Sequence, residues 1–302
     1  MDFGKLPSVD QVDFKLPPEP RQNTDLLASL SKPSQQSLYI GPTGYNMNPW
    51  VGKWYPAGSK EPDFLRHYGV QFNTIEFNTT HYRIPDSSMV RRWFEAVPED
   101  FRFCPKVPQS VSHAKDLGLS GDDPLIFCDA VTEFSEKLGC CFLQLPPHFG
   151  LRDLSVLERF LAMYAPQIPL SVEVRSPDFF QKTDAAEAFF ELLKKHGVAG
   201  VITDVAGRRD VCHMHLTHAK TLIRFVGNGL HPSDYTRVRD WAERLKYWFE
   251  NGLQEAYFFT HEPDNMLSPE LTAFCVETFS QAIPEVSLRG PKPVPGQQGV
   301  LF

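Results

Sequence analysis

The chain has 302 residues, 42% of them hydrophobic, and a formal net charge of −7. That length suits one large domain with extensions or two smaller ones, and the acidic balance argues against a surface coated in positive charge for nucleic acid. No apolar run approaches the roughly 20 residues that a membrane helix needs.

Residues 1–36 contain Pro17, Pro18 and Pro20 and no sustained hydrophobic period. They read as an extended arm that either wraps the rest of the chain or is mobile. No basic stretch leads into an apolar one, so no signal peptide is expected. From there, eight short apolar runs recur: Leu38–Thr43, Phe72–Asn78, Phe101–Lys106, Cys140–Gln144, Leu170–Arg175, Ala199–Asp204, Thr221–Arg224 (running on to Gly227) and Ala256–His261. Their spacing of roughly 30 residues is that of one strand–helix unit. Helices are expected over Lys60–Val70, Ser87–Val97, Asp123–Leu138, Asp153–Tyr164, Asp184–His196, Pro232–Asn251 and Pro269–Ala282. The gap at Val205–Lys220 reads poorly as an amphipathic helix and predicts a degenerate crossover. The expected fold is therefore an α/β (β/α)8 TIM barrel over 37–284, with an N-terminal extension (1–36) and a flexible C-terminal tail (285–302). The six cysteines, Cys104, Cys128, Cys140, Cys141, Cys212 and Cys275, form no C-x-x-C pair. They fit reduced thiols and a cytoplasmic protein better than a zinc knuckle or a disulfide framework.

Several strand ends sit in recognisable motifs. Gly41-Pro42-Thr43-Gly44-Tyr45, with Trp50 and Trp54-Tyr55-Pro56, resembles a GTSGW…W…FYP opening. Asn73 to Tyr82 is similar to NTVEINSTFY, Phe101 to Lys106 with Ser112-His113 to FRFAxK…TH, Gln144-Leu145-Pro146-Pro147 to QLPP, and Glu173-Val174-Arg175-Ser176 to EFRH/S. In this order, over about 40 to 280, they resemble the YecE-like family, domain of unknown function 72. The resemblance implies a TIM barrel and supplies no mechanism, because that family has no established activity. The chain departs from the pattern at Pro42 (Ser in the family), His81 (Phe), Arg224-Phe225-Val226-Gly227 (RLHG) and Thr260-His261 (paired Asn).

Barrels of this type place their chemistry at the C-terminal strand ends. Glu76, Glu173 and Asp204 are the expected catalytic carboxylates, as an acid–base pair or as ligands to a divalent metal with His261. The alternative is that each is half of an ion pair with a neighbouring Lys or Arg. Lys106 is a candidate base or anion anchor, and Arg175 and Arg224 match phosphate or carboxylate. Thr43, Tyr45, Asn78, Tyr82, His113, Gln144 and His261 complete the expected substrate-facing set, with Arg208, Arg209 and His213 from the polar crossover. Gly41–Gly44 either cradles a phosphate or makes a tight turn; no nucleotide-cofactor signature is present.

The expected function is acid–base or metal-assisted hydrolysis, elimination or isomerisation of an anionic phosphate- or sugar-like substrate. A non-catalytic ligand-binding barrel is an alternative. Another comes from the tail: Gln297-Gln298-Gly299-Val300-Leu301-Phe302 resembles the Q-x-x-L-F peptides that dock on the bacterial sliding clamp. On that reading Gln298, Leu301 and Phe302 would recruit a nucleic-acid repair or processing factor.

Overall fold

A computed structural model describes residues 3–294 apart from 32 and 34. In chain order the elements are α1 (Arg21–Ser29), β1 (Ser37–Pro42), α2 (Phe64–Gln71), β2 (Thr74–Phe77), α3 (Thr79–Tyr82), α4 (Ser87–Ala96), β3 (Arg102–Pro105), α5 (Gln109–Ser112), α6 (Asp123–Thr132), β4 (Cys141–Gln144), α7 (Leu154–Met163), β5 (Leu170–Glu173), α8 (Asp184–Lys195), β6 (Ala199–Asp204), β7 (Lys220–Val226), α9 (Pro232–Glu250), β8 (Glu255–His261) and α10 (Ser268–Ala282). The strands fall within two residues of the expected runs. Local signals set several helix starts: Asp86 accepts from the Met89 N–H at 2.9 Å and Thr183 from Ala186 at 3.2 Å.

All strand pairings are parallel. Six strands form one sheet in the order β1-β8-β7-β6-β5-β4, and β2 pairs with β3 in a second. The expected eight-strand ladder is thus interrupted twice, and side chains explain both gaps. Between β1 and β2 the Asn73 side-chain oxygen accepts the Ile40 N–H at 3.0 Å, and the Tyr68 hydroxyl lies 2.9 Å from the carbonyl oxygens of both Pro42 and Thr74. Between β3 and β4, single bridges join Phe103 to Leu138 and Lys106 to Phe142. The N–H groups of Arg102 and Lys106 donate to the β2 side, whereas that of Val107 donates to Phe142 of β4. Pro105 has the same parity as Val107 and has no N–H to give β4.

Gly41 marks the tightest point. A Cβ there would collide with the Thr74 carbonyl oxygen and stand 3.0 Å from the Tyr68 hydroxyl. The first glycine of the G-x-x-G is therefore needed for close approach of β1 and β2. Gly41→Ala is expected to cost about 1–3 kcal/mol, the scale of forced overpacking. Equilibrium urea unfolding checks it; an unchanged midpoint would mean that the two strands separate freely.

Side chains alternate strictly. Those facing the strand-enclosed interior include Tyr39, Cys104, Phe142, Val201, Leu222, Tyr257 and Phe259. Those facing the helices build two larger clusters, one around β2–β5 and one around β6–β8 with β1. The crossover between β6 and β7 has only a short turn, Arg209–Val211, as regular structure. Helix α1 takes the place of the missing crossover helix. Its Leu26 and Leu27 pack with Ile202, Met214 and Leu216, and its fully buried Asn23 bonds the Met214 carbonyl and the Leu216 N–H, each at 2.8 Å. With its three apolar residues adjacent, Leu26 to Ala28, α1 carried no sustained period to read. The tail is pinned before it leaves the described region. Arg289 donates to Phe72 O and pairs with Asp100, and the Val294 N–H donates to Lys53 O at 2.8 Å. Gln298, Leu301 and Phe302 lie outside the described residues.

Candidate functional site

Above the interior Phe142, the C-terminal ends of β2, β3, β4, β5, β7 and β8 converge on one polar network. Arg224 of β7 is 2% exposed. Its Nε and Nη2 donate to the two oxygens of Glu76 at 2.8 and 2.9 Å, and its Nη1 donates to Glu173 at 2.7 Å. Arg175 donates to the other oxygen of Glu173 at 2.9 Å and to the Gln144 side-chain oxygen at 2.8 Å. Lys106 Nζ donates to that same Gln144 oxygen at 3.3 Å. His261 Nε2 lies 3.0 Å from Glu76, and Asn78 donates to Glu76 at 3.0 Å. The guanidinium of Arg224 and the ammonium of Lys106 both lie about 6 Å from the Phe142 ring centre (5.8 and 6.0 Å).

The charges settle who is ionised. Burial alone would raise the Glu76 carboxyl, but Arg224 and His261 outweigh it and hold it well below the ordinary carboxylate range. Glu173 is likewise lowered, by Arg224 and Arg175 against burial. Burial lowers His261, so its neutral ring donates Nε2–H to the Glu76 carboxylate. Burial, and then Arg224, push the Lys106 ammonium down to about 8. Three basic side chains thus face two fully engaged carboxylates.

Asp204 belongs elsewhere. Val201 of β6 faces the interior, so Asp204, three residues on, faces the helix layer. There it accepts from Arg237 and from Trp241 Nε1 at 2.8 Å, both of α9, and pairs with Arg209. The expected metal set of Glu76, Glu173, Asp204 and His261 therefore does not converge. The Glu76 and Glu173 oxygens point at guanidinium groups, and among the described residues no three His, Cys, Asp or Glu side chains are arranged to hold a metal ion. A divalent ion does not fit these donors.

Thr43 and Tyr45 stand at the rim. The Thr43 carbonyl accepts from Asn78 at 3.4 Å, and Tyr45 stacks on Phe77. Tyr82 and His113 are exposed on the β2–β3 side, where His113 lies 5.8 Å from the His81 ring. Of the polar crossover, Arg209 and His213 face the helix layer, not the mouth as expected. Arg208 pairs with Asp210 and lies 5.2 Å from the Phe3 ring. His213 stacks on Phe180 beneath α8, and burial drives it down to about 3. Two residues escaped the sequence reading. Arg237 carries the inner side of α9, and Glu262 sits one residue past β8. The only signal for Glu262 was its place immediately after a strand-end His.

A family model described as "Protein of unknown function DUF72" matches residues 39–297. The chain belongs to the DUF72 family. It is 33% identical over 287 residues to UPF0759 protein YecE of Escherichia coli K12, covering 88% of this chain and all of that one. Two solved DUF72 structures share its fold. One, from Enterococcus faecalis, has a TM-score of 0.62 at 18% identity and covers 85% of this chain and 99% of that one. The other, from Thermotoga maritima, has a TM-score of 0.57 at 21% identity and covers 82% and 99%. The DUF72 match begins within β1 and spans every strand end described above.

Proposed function

We propose that this DUF72 chain is a cytoplasmic (β/α)8-barrel enzyme. On this reading it binds a small anionic, phosphate- or sugar-like substrate at the mouth and moves a proton with Lys106 in an elimination or isomerisation. The paired bridges between β3 and β4, and the Asn73 and Tyr68 bonds between β1 and β2, support reading the two sheets as arcs of one barrel. Six free buried cysteines fit a reducing compartment.

The observation that carries the chemistry is Lys106. Its Nζ is buried at the mouth, and among the described residues its one hydrogen bond is to Gln144. Two N–H groups remain for a ligand. An amine poised near 8 suits general acid–base work close to neutral pH. The carboxylates do not suit it, because their oxygens are spent on Arg224 and Arg175 and their protons are lost far below neutrality. Their role is to hold Arg224, and through Glu173 to orient Arg175, which presents a guanidinium fork beside Lys106. Hydrolysis through a metal-activated water finds no ligand set among the described residues.

The test has two parts. Inorganic phosphate should bind the whole protein in calorimetry, and Lys106→Met should weaken that binding at least tenfold at pH 7. Labelled-lysine spectra should show one ammonium titrating near 8; a midpoint near 10.4, the ordinary lysine value, would remove the basis for Lys106 as the base. Sugar phosphates incubated in D2O should exchange a carbon-bound proton only with Lys106 present. Binding without exchange would leave a ligand-binding barrel.

A further inference from the structure

The N-terminal arm is held at four stations, from the side of α9 up to the mouth. Arg244 donates to Pro17 O and Glu19, each at 2.9 Å. The Phe14 ring lies 5.3 Å from the Arg209 guanidinium and 4.6 Å from that of Arg237. The Gly207 N–H donates to Gly4 O at 2.8 Å. The Phe3 ring covers the Arg175 guanidinium at 4.3 Å. Gly4 has φ +69°, and a Cβ there would stand 2.8 Å from Val205, so the tip of the arm requires glycine.

Between this arm and the ends of β7 and β8 lies a cavity of about 390 Å³. Leu6, Val9, Val226 and Pro263 give it an apolar side, Lys5 and the Asp10–His231 pair lie at the arm, and Glu262 closes its inner end. Glu262 is only 3% exposed. One carboxyl oxygen accepts the Gly229 N–H at 2.7 Å; the other is buried with no hydrogen-bond partner among the described residues. The nearby Arg237 spends its donors on Asp204, Asp234 and the Val226 carbonyl. A buried carboxyl without a cation is costly, and burial accordingly pushes Glu262 up to about 7.

We propose that this arm-roofed cavity is a second binding site, for a small apolar molecule carrying a primary amine. The ammonium group sits against Glu262 and the hydrocarbon body against Leu6, Val9 and Pro263. A carboxyl lacking a partner calls for a cation or a strong donor, and the apolar wall calls for little other polarity. An anion would meet the buried Glu262 carboxyl, while Lys5 in the same wall is exposed to solvent and His231 is paired with Asp10.

The probe is phenethylamine, titrated into the whole protein by calorimetry and amide NMR, against its neutral and anionic counterparts 2-phenylethanol and phenylacetate. The amine should bind with at least tenfold preference over both. Shifts should fall on residues 3–10 and 226–231. Glu262→Gln, which keeps shape and removes charge, should lose that preference. A variant lacking residues 1–10 keeps the Phe14 and Glu19 stations and should lose binding to all three probes. Absence of amine binding, equal affinity for 2-phenylethanol, or undiminished binding to folded Glu262→Gln would each overturn the proposal. None of these outcomes touches Lys106, so the phosphate titration judges the mouth separately.

Discussion

Arg224→Leu is expected to destabilise the protein by about 3–5 kcal/mol at neutral pH and to invert its response to acid. Arg224 is the only guanidinium bonded to both Glu76 and Glu173 among the described residues. Removing it leaves two buried carboxylates, with His261 neutral and Arg175 touching only Glu173. In the wild type both carboxyls titrate below their unfolded values. Their contribution to stability is present above the unfolded glutamate pKa of about 4.3 and lost as pH falls through the folded values. Without Arg224, burial is opposed only by Arg175 at Glu173 and by the His261 hydrogen bond at Glu76; the folded values should rise above the unfolded one, so stability should increase as pH falls from 7 toward about 4.5. Urea unfolding at pH 7 and pH 5 reads both effects. Adding Glu76→Gln and Glu173→Gln should recover part of the loss, because the buried charges are then gone. A cost below about 1 kcal/mol with an unchanged acid response would show that water, not Arg224, compensates these carboxylates.

That network was half legible. The regular spacing of apolar runs located eight strands, and the barrel-mouth rule brought Glu76, Lys106, Gln144, Glu173, Arg175, Arg224 and His261 to one place, where they do meet. Which way each pair would lean was open: ligand and ion-pair readings of the same carboxylates differ by one hydrogen bond, and only coordinates show Arg224 reaching both. Asp204 failed for a different reason. In Ala199–Asp204 every residue is buried, as in strands covered on both faces, so no polar alternation reveals which parity points inward. His213 and Arg209 went the same way. A crossover without a helix has no period to orient its side chains, and α1, which fills that space, comes from a segment 191 residues away in sequence. Glu262 was invisible because the rule stops at the strand end, and the fold uses the next residue.

Asp204→Ala should cost about 3–5 kcal/mol, comparable to the loss of Arg224, although no substrate-facing group is touched. Asp204 is fully buried and ties β6 to α9 through Arg237 and Trp241, and to the arm through Arg209, which also donates to Phe14 O at 3.2 Å. Truncation leaves the buried Arg237 with Asp234 as its one carboxylate partner among the described residues and orphans the Trp241 N–H. Burial would raise the Asp204 carboxyl, but Arg237 and Arg209 outweigh it and hold it low. Its stabilising share is therefore present above the unfolded aspartate pKa of about 3.9 and lost below it. Asp204→Asn keeps an acceptor for Trp241 and should separate the two effects: a smaller loss at pH 7, and none of the acid-dependent part. Because Arg209 then has no carboxylate to brace it, amides of residues 3–14 should exchange faster in hydrogen–deuterium measurements while the β-strand amides do not. Uniformly faster exchange, arm and sheet together, would instead make Asp204 a general fold element rather than a brace for the arm.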